Sequence, residues 1–148
     1  MSDSLGFLIS DVSRLMRKRF DDRARLIGVT RAQWRTLFMV SRNEGANQGV
    51  LADILEVEPI TLCRMIDRLE DSGLLERRRD PADRRAWQIF ITDKAHPLID
   101  QLLTIGEGMI EEALNGMSDV ARAELFGALE LMQSNLNDAP RGKEARHG

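Results

Sequence analysis

The sequence predicts a mainly α-helical fold interrupted by one short, basic β-hairpin. Three observations predict it. Apolar residues recur at helical spacing along most of the 148 residues. A short helix, a tight turn and a second helix follow one another over 47–71, which is the helix-turn-helix pattern. Two strand-like runs then flank an arginine-rich tip, Arg77-Arg78-Arg79-Asp80-Pro81-Ala82-Asp83-Arg84-Arg85.

Leu5, Leu8, Ile9, Val12, Leu15, Met16 and Phe20 form a helical stripe, so residues 4–27 read as one long amphipathic helix that Gly28 closes. Thr30 and Gln33 make a capping box for a helix through about Arg42, with Trp34, Leu37, Phe38 and Ser41 as its buried stripe. Residues 43–49 read as a loop. Asn47 caps a short helix to Leu55 that buries Leu51, Ile54 and Leu55, and Glu56-Val57 makes the tight turn.

The next helix runs from Pro59 to Asp71. Proline suits its first turn, where a backbone N–H would have no partner. Leu62, Met65, Ile66 and Leu69 are its core face, and Ile60, Arg64, Asp67 and Arg68 point the opposite way. Ser72-Gly73 stops it. Leu74–Arg78 and Ala86–Ile91 are strand-like, joined through the turn residues Asp80-Pro81.

Thr92 or Asp93 caps a helix to about Asn115, with Pro97 in its first turn. This helix is apolar around much of its circumference, which suggests burial on two sides. Gly116 breaks it, and Ser118 caps a last helix with the stripe Ala121, Leu125, Ala128, Leu129, Met132 and Leu136. A single domain over 1–138 is expected, followed by a disordered tail over 139–148.

Net charge is −3, which by itself argues against nucleic acid. Its distribution reverses that inference. Arg77 to Arg85 holds five arginines against two aspartates, whereas Glu107 to Asp138 holds seven acids against Arg122. Such a chain meets phosphates with one end only. No run approaches a membrane span, and the charges at the N-terminus follow the apolar residues, the reverse of a signal peptide. With a single cysteine, Cys63, the expectation is a cytoplasmic protein.

A helix followed at once by a basic hairpin fits a DNA duplex. Arg64 is the candidate for a bidentate contact to guanine, and Ile60 or Thr61 for a thymine methyl. Arg84 and Arg85 suit a narrow minor groove, and Arg77, Arg78 and Arg79 suit phosphates. His96 and His147 have no metal-ligand neighbours, no glycine-rich phosphate loop is present, and no nucleophile set assembles. Neither an enzyme nor a cofactor or metal is therefore expected.

The order of elements, with Asp83-Arg84-Arg85 followed by Ile91-Thr92, resembles the MarR family of winged helix-turn-helix regulators over about residues 5–137. Residues 58–74 and 83–99 are similar to the SlyA-like branch. The resemblance implies a winged helix-turn-helix over about 30–92 and dimerisation helices over about 5–27 and 93–137. It implies that Pro59–Asp71 is the recognition helix with Thr61 and Arg64 on DNA, that Arg85 enters the minor groove, and that Asp83 scaffolds the wing by pairing with an arginine. The expected partners are a second copy of the chain and an inverted-repeat duplex with half-sites about one helical turn apart. A repressor released by a small aromatic acid is also implied, with Arg14, Arg17, Trp34 and Phe38 as the candidate effector pocket.

Two departures stand out. The family usually has glycine where this chain has Glu56, a substitution that costs on the order of 1 kcal/mol if the position needs a left-handed backbone. The peroxide-sensing branch carries its cysteine near the start of the chain, so Cys63 does not inherit that role. The alternatives are a winged-helix module for protein–protein assembly and a redox-responsive regulator acting through Cys63.

Overall fold

A computed structural model of the chain describes the backbone of residues 4–144 and the side chains of 4–137; His147 lies outside the described residues. The backbone divides into two compact units, 1–110 and 111–148. Its elements are α1 (Leu5–Leu26), α2 (Arg31–Arg42), α3 (Gln48–Leu55), α4 (Pro59–Asp71), β1 (Leu75–Arg79), β2 (Trp87–Ile91), a 3-10 turn (Asp93–Ala95), α5 (His96–Ala113) and α6 (Asp119–Glu144). The sequence-predicted fold class, mainly helical with a two-stranded antiparallel wing, is the observed one.

In the first unit, Ser4 caps α1 through its hydroxyl, which accepts the Phe7 N–H. Only Phe20, Asp21 and Ala24 of α1 are buried; Leu5, Phe7, Leu8, Val12 and Leu15 are exposed. The capping box of Thr30 and Gln33 is present in both directions. The buried stripe of α2 is Thr36, Leu37 and Val40, with Trp34 and Phe38 half-buried and Ser41 exposed. Thr36 tolerates burial because its hydroxyl donates to the Ala32 carbonyl at 2.7 Å. In α3 Ala52 is buried in place of Ile54, which is exposed. The α4 core face is Leu62, Ile66 and Leu69, with Met65 half-buried.

Three of these helices end in the same way. After α1, the N–H groups of Gly28 and Val29 donate to Arg25 and Ala24 carbonyls; after α4, those of Gly73 and Leu74 donate to Glu70 and Leu69. After α3, those of Glu56 and Val57 donate to Asp53 and Ala52. Each is a Schellman cap, whose pivot residue takes a left-handed conformation. The pivots have φ of +81°, +77° and +54°, and Glu56 is the one that is not glycine.

The wing pairs Leu75 with Ile91, Arg77 with Ile89 and Arg79 with Trp87. The segment predicted as a loop over 43–49 contributes a third edge. Gly45 N–H donates to the Ile89 carbonyl and Ile89 N–H to the Ala46 carbonyl, while Glu44 accepts the Ile91 N–H. An inner strand needs partners on both sides, and this short stretch supplies them. At the wing's base the Thr92 hydroxyl donates to the Gly73 carbonyl at 2.5 Å, so Thr92 anchors the hairpin and makes no side-chain cap for the following helix. On α5, Ile99 and Leu102 join the core. Gly106 lies against Phe20, where a Cβ would sit 3.6 Å from the ring.

In the second unit, Gly116 (φ +90°) follows the end of α5 and Ser118 caps α6 by accepting the Ala121 N–H. Arg122 pairs with Glu111 at 3.0 Å and donates to the Leu114 carbonyl. Ala121, Leu125 and Met132 are half-buried, but Leu129, Leu136, Val120, Phe126 and Leu131 are exposed. Helical backbone continues to Glu144, past residue 139, where a disordered tail is expected from the sequence. Residues 145–148 lie outside the described residues. No helix among the described residues is long and apolar enough to cross a membrane.

Candidate nucleic-acid interface

Two elements of the first unit carry the candidate site. On α4, Pro59 stands in the first turn, and Ile60, Thr61, Arg64 and Arg68 are all exposed. Ile60 keeps 61% of its surface in contact with solvent, a large apolar exposure for a helix start. Neither the Arg64 nor the Arg68 guanidinium bonds to any described residue.

The wing tip is held by its own backbone and two aspartates. Asp80 accepts the Ala82 N–H at 2.8 Å, and Asp83 accepts the Arg85 N–H at 3.0 Å. These are side-chain-to-backbone turns of the kind aspartate favours. The expected pairing of Asp83 with an arginine side chain is absent among the described residues: Asp83 shapes the tip by binding the backbone. Arg79 completes the turn by donating to the Arg84 carbonyl at 2.7 Å, and its guanidinium lies 4.5 Å from the Trp87 ring centre. The Arg84 and Arg85 side chains project from this tip, exposed and without a partner among the described residues.

Arg77 corrects the sequence reading. Strand side chains alternate between faces. Leu75 faces the core, so Arg77, two residues on, faces inward as well. Its side chain is 13% exposed and is paired with Asp67 at 2.7 Å and Glu70 at 3.2 Å. Burial works against the charged guanidinium, but the bonds to Asp67 and Glu70 outweigh it and raise its pKa. It is not free for a phosphate. Arg78 faces outward, stacked 4.1 Å from the Phe90 centre and bonded to Glu76, a solvent-screened pair that yields readily.

The four effector-pocket residues are not brought into one cleft. Trp34 and Phe38 pack with Phe20 at centroid distances of 4.7 Å and 6.1 Å. The Trp34 indole N–H donates to Asp21 at 2.8 Å, and Arg31 binds the other Asp21 oxygen. Burial pushes the Asp21 carboxyl up, but these bonds dominate and hold it below its ordinary pKa. Arg14 pairs with Asp11 and lines a groove with Phe7, Leu8 and Ser10 to which neither Trp34 nor Phe38 contributes. Arg17 is exposed. Among the described residues no group of three or more metal-ligating side chains occurs.

A family model described as MarR family matches residues 27–86, which hold both α4 and the wing tip. The crystal structure of the transcriptional regulator PA3341 is 32% identical, with a TM-score of 0.75, and the match covers 91% of this chain and 99% of that one. That of a MarR transcriptional regulator from Methanosarcina mazei Go1 is 29% identical, with a TM-score of 0.79 and coverage of 91% and 97%. A mutant MarR from E. coli complexed with operator DNA shares the fold at 24% identity, with a TM-score of 0.70 and coverage of 86% and 92%. With this fold, this wing and these matches, the chain belongs to the MarR family of winged-helix regulators.

Proposed function

We propose that the chain is a sequence-specific DNA-binding transcription regulator, acting as a cytoplasmic homodimeric repressor. One observation carries the proposal. The arginines of α4 and the wing fall into two sets. Arg77 is spent on part-buried ion pairs, and Arg78 and Arg79 bond and stack on the wing's own exposed surface, whereas Arg64, Arg68, Arg84 and Arg85 meet no described residue. An exposed guanidinium without a partner is available for a base edge or a phosphate. The E. coli relative crystallised with operator DNA makes DNA the first candidate partner. Members of the family are transcription factors and not enzymes.

In this reading Arg64 reads guanine, Ile60 and Thr61 meet a thymine methyl, and Pro59 and Arg68 lie against the backbone of the duplex. Arg84 and Arg85 enter the minor groove, Arg78 and Arg79 lie near phosphates, and Asp83 keeps the tip in shape. The exposed apolar residues of α1 and of α6 supply the dimer contacts, so that residues 5–27 and 93–137 serve dimerisation and 30–92 serve DNA. Within the family we assign the chain to the SlyA-like branch on residues 58–74 and 83–99. For a small aromatic carboxylate effector, Arg17 is the remaining candidate cation of the four. Titration calorimetry with salicylate at millimolar concentration tests it, and absence of heat ends that part of the proposal.

A salt titration tests the whole. Four free arginines per protomer allow up to about eight neutralised phosphates per dimer, and hence a log–log slope as steep as about −7. Steep weakening with salt supports DNA binding; a flat response favours a protein–protein module. A second reading, regulation by oxidation of Cys63, draws on the thiol's position 3.8 Å from the Arg77 guanidinium. A Cys63→Ser variant that keeps binding DNA under oxidant supports it, and equal loss in the variant ends it.

A further inference from the structure

Arg77, on β1, bonds to two helices at once, α3 and α4. Its Nε donates to Gln48 Oε1 on α3 at 2.7 Å. Its Nη1 meets Glu70, and its Nη2 meets Asp67 and the Cys63 carbonyl, all on α4. Its backbone N–H donates to the second Glu70 oxygen at 3.1 Å, so Glu70 grips both the strand and the side chain of one residue. Beyond the wing's base, every side-chain hydrogen bond between the wing and α4 among the described residues runs through Arg77.

Asp67 is the informative partner. It stands on the outward side of α4 with Arg64 and Arg68, and its side chain is 55% exposed. A carboxylate there repels phosphates, which on charge alone weakens DNA binding. Its compensating use is the bond to Arg77. A guanidinium holds a fixed planar fork, so two carboxylates that share it fix an angle as well as a distance.

We propose that Asp67, Glu70 and Arg77 form a positioning cluster that sets the recognition helix against the wing, so that Arg64 and the Arg84-Arg85 tip engage one duplex together. This rests on the DNA-binding reading above. Arg77 is a positioning residue and makes no DNA contact of its own.

The test replaces Asp67 by Asn. The site is half-exposed, so the fold is not at stake, and the change removes a negative charge from the DNA side. Affinity is measured by fluorescence anisotropy for two probes: a duplex that the wild-type chain selects from genomic fragments, and a scrambled duplex of the same length. Positioning predicts that Asp67→Asn weakens binding to the selected duplex by roughly tenfold while binding to the scrambled duplex is unchanged or tighter. It further predicts that Arg85→Ala costs less in the Asp67→Asn background than in the wild type, because a misplaced tip has less to lose. Glu70→Gln moves in the same direction. Equal or tighter binding of Asp67→Asn to the selected duplex overturns the proposal, as do parallel losses on both probes or full additivity with Arg85→Ala. A wild-type chain that binds no duplex refutes the DNA reading itself, and this proposal with it.

Discussion

Replacing Glu56 by glycine stabilises the protein. The pivot of the Schellman cap after α3 has φ +54° and ψ +44°, and the same pivot after α1 and α4 is glycine. An L-residue there sets its Cβ against the following carbonyl, at about 1–2 kcal/mol. Glycine removes that strain but gives the unfolded chain more freedom, which returns about 0.4–1 kcal/mol. The Glu56 side chain is exposed and bonds to no described residue, so nothing else is lost. The net gain is about 1 kcal/mol, which for a chain of this size raises Tm by about 2–4 °C. Urea and thermal melts at one fixed protein concentration measure it, since the Tm of any self-associating chain depends on concentration. Glu56→Ala serves as the control. It removes the same charge and keeps the Cβ, so it leaves stability nearly unchanged. A Glu56→Gly variant no more stable than wild type, or an alanine variant that gains as much, refutes backbone strain as the cause.

Two further predictions concern α1. Asp21→Asn removes the counter-charge of Arg31, which is itself half-exposed and screened by solvent, and costs about 1 kcal/mol or less near neutral pH. Because the Asp21 pKa is held below the ordinary aspartate value of 3.8, its contribution is complete above that value and fades as pH falls through the lower folded value. The melting difference between variant and wild type therefore shrinks in acid; a difference that is constant with pH contradicts the charge argument. Leu8→Asp with Val12→Asp places charges on the exposed stripe of α1. At about 1.5–3 kcal/mol per fully buried apolar side chain, and with about half of Leu8 and of Val12 exposed in the protomer, the four side chains of the proposed two-fold interface make dimer affinity fall roughly a hundredfold or more. Sedimentation velocity detects the monomer, and an unchanged dimer removes α1 from the interface.

Much of this architecture is legible in the sequence because its signals are local. A capping box, a proline in the first turn and glycine at a helix end each act within a few residues, so Thr30, Pro59, Gly28 and Gly73 mark the boundaries directly. Burial is less local. Ile54 and Ser41 have helical spacing suited to the core, but the packing of neighbouring helices chose Ala52, Thr36 and Val40. The arginines show the same division. That Arg64 and Arg84 point outward follows from the period of the helix and from the turn. The role of Arg77 depends on Asp67 and Glu70, brought against it by the fold of α4 on the wing. One local signal was available: with Leu75 facing the core, strand alternation turns Arg77 inward. Asp83 accepts a backbone N–H where an ion pair is expected, because a side-chain-to-backbone turn and an ion pair need the same residue type.

Selection of bound fragments from fragmented genomic DNA by the purified chain tests whether the free arginines recognise a specific DNA sequence. Enrichment of one inverted-repeat sequence with half-sites about one helical turn apart is expected. Arg64→Ala then broadens the selected sequence, and Arg84→Ala with Arg85→Ala weakens binding without changing the half-site bases that Arg64 reads. No enrichment over input, or the same selected sequence and affinity after all three substitutions, contradicts that recognition.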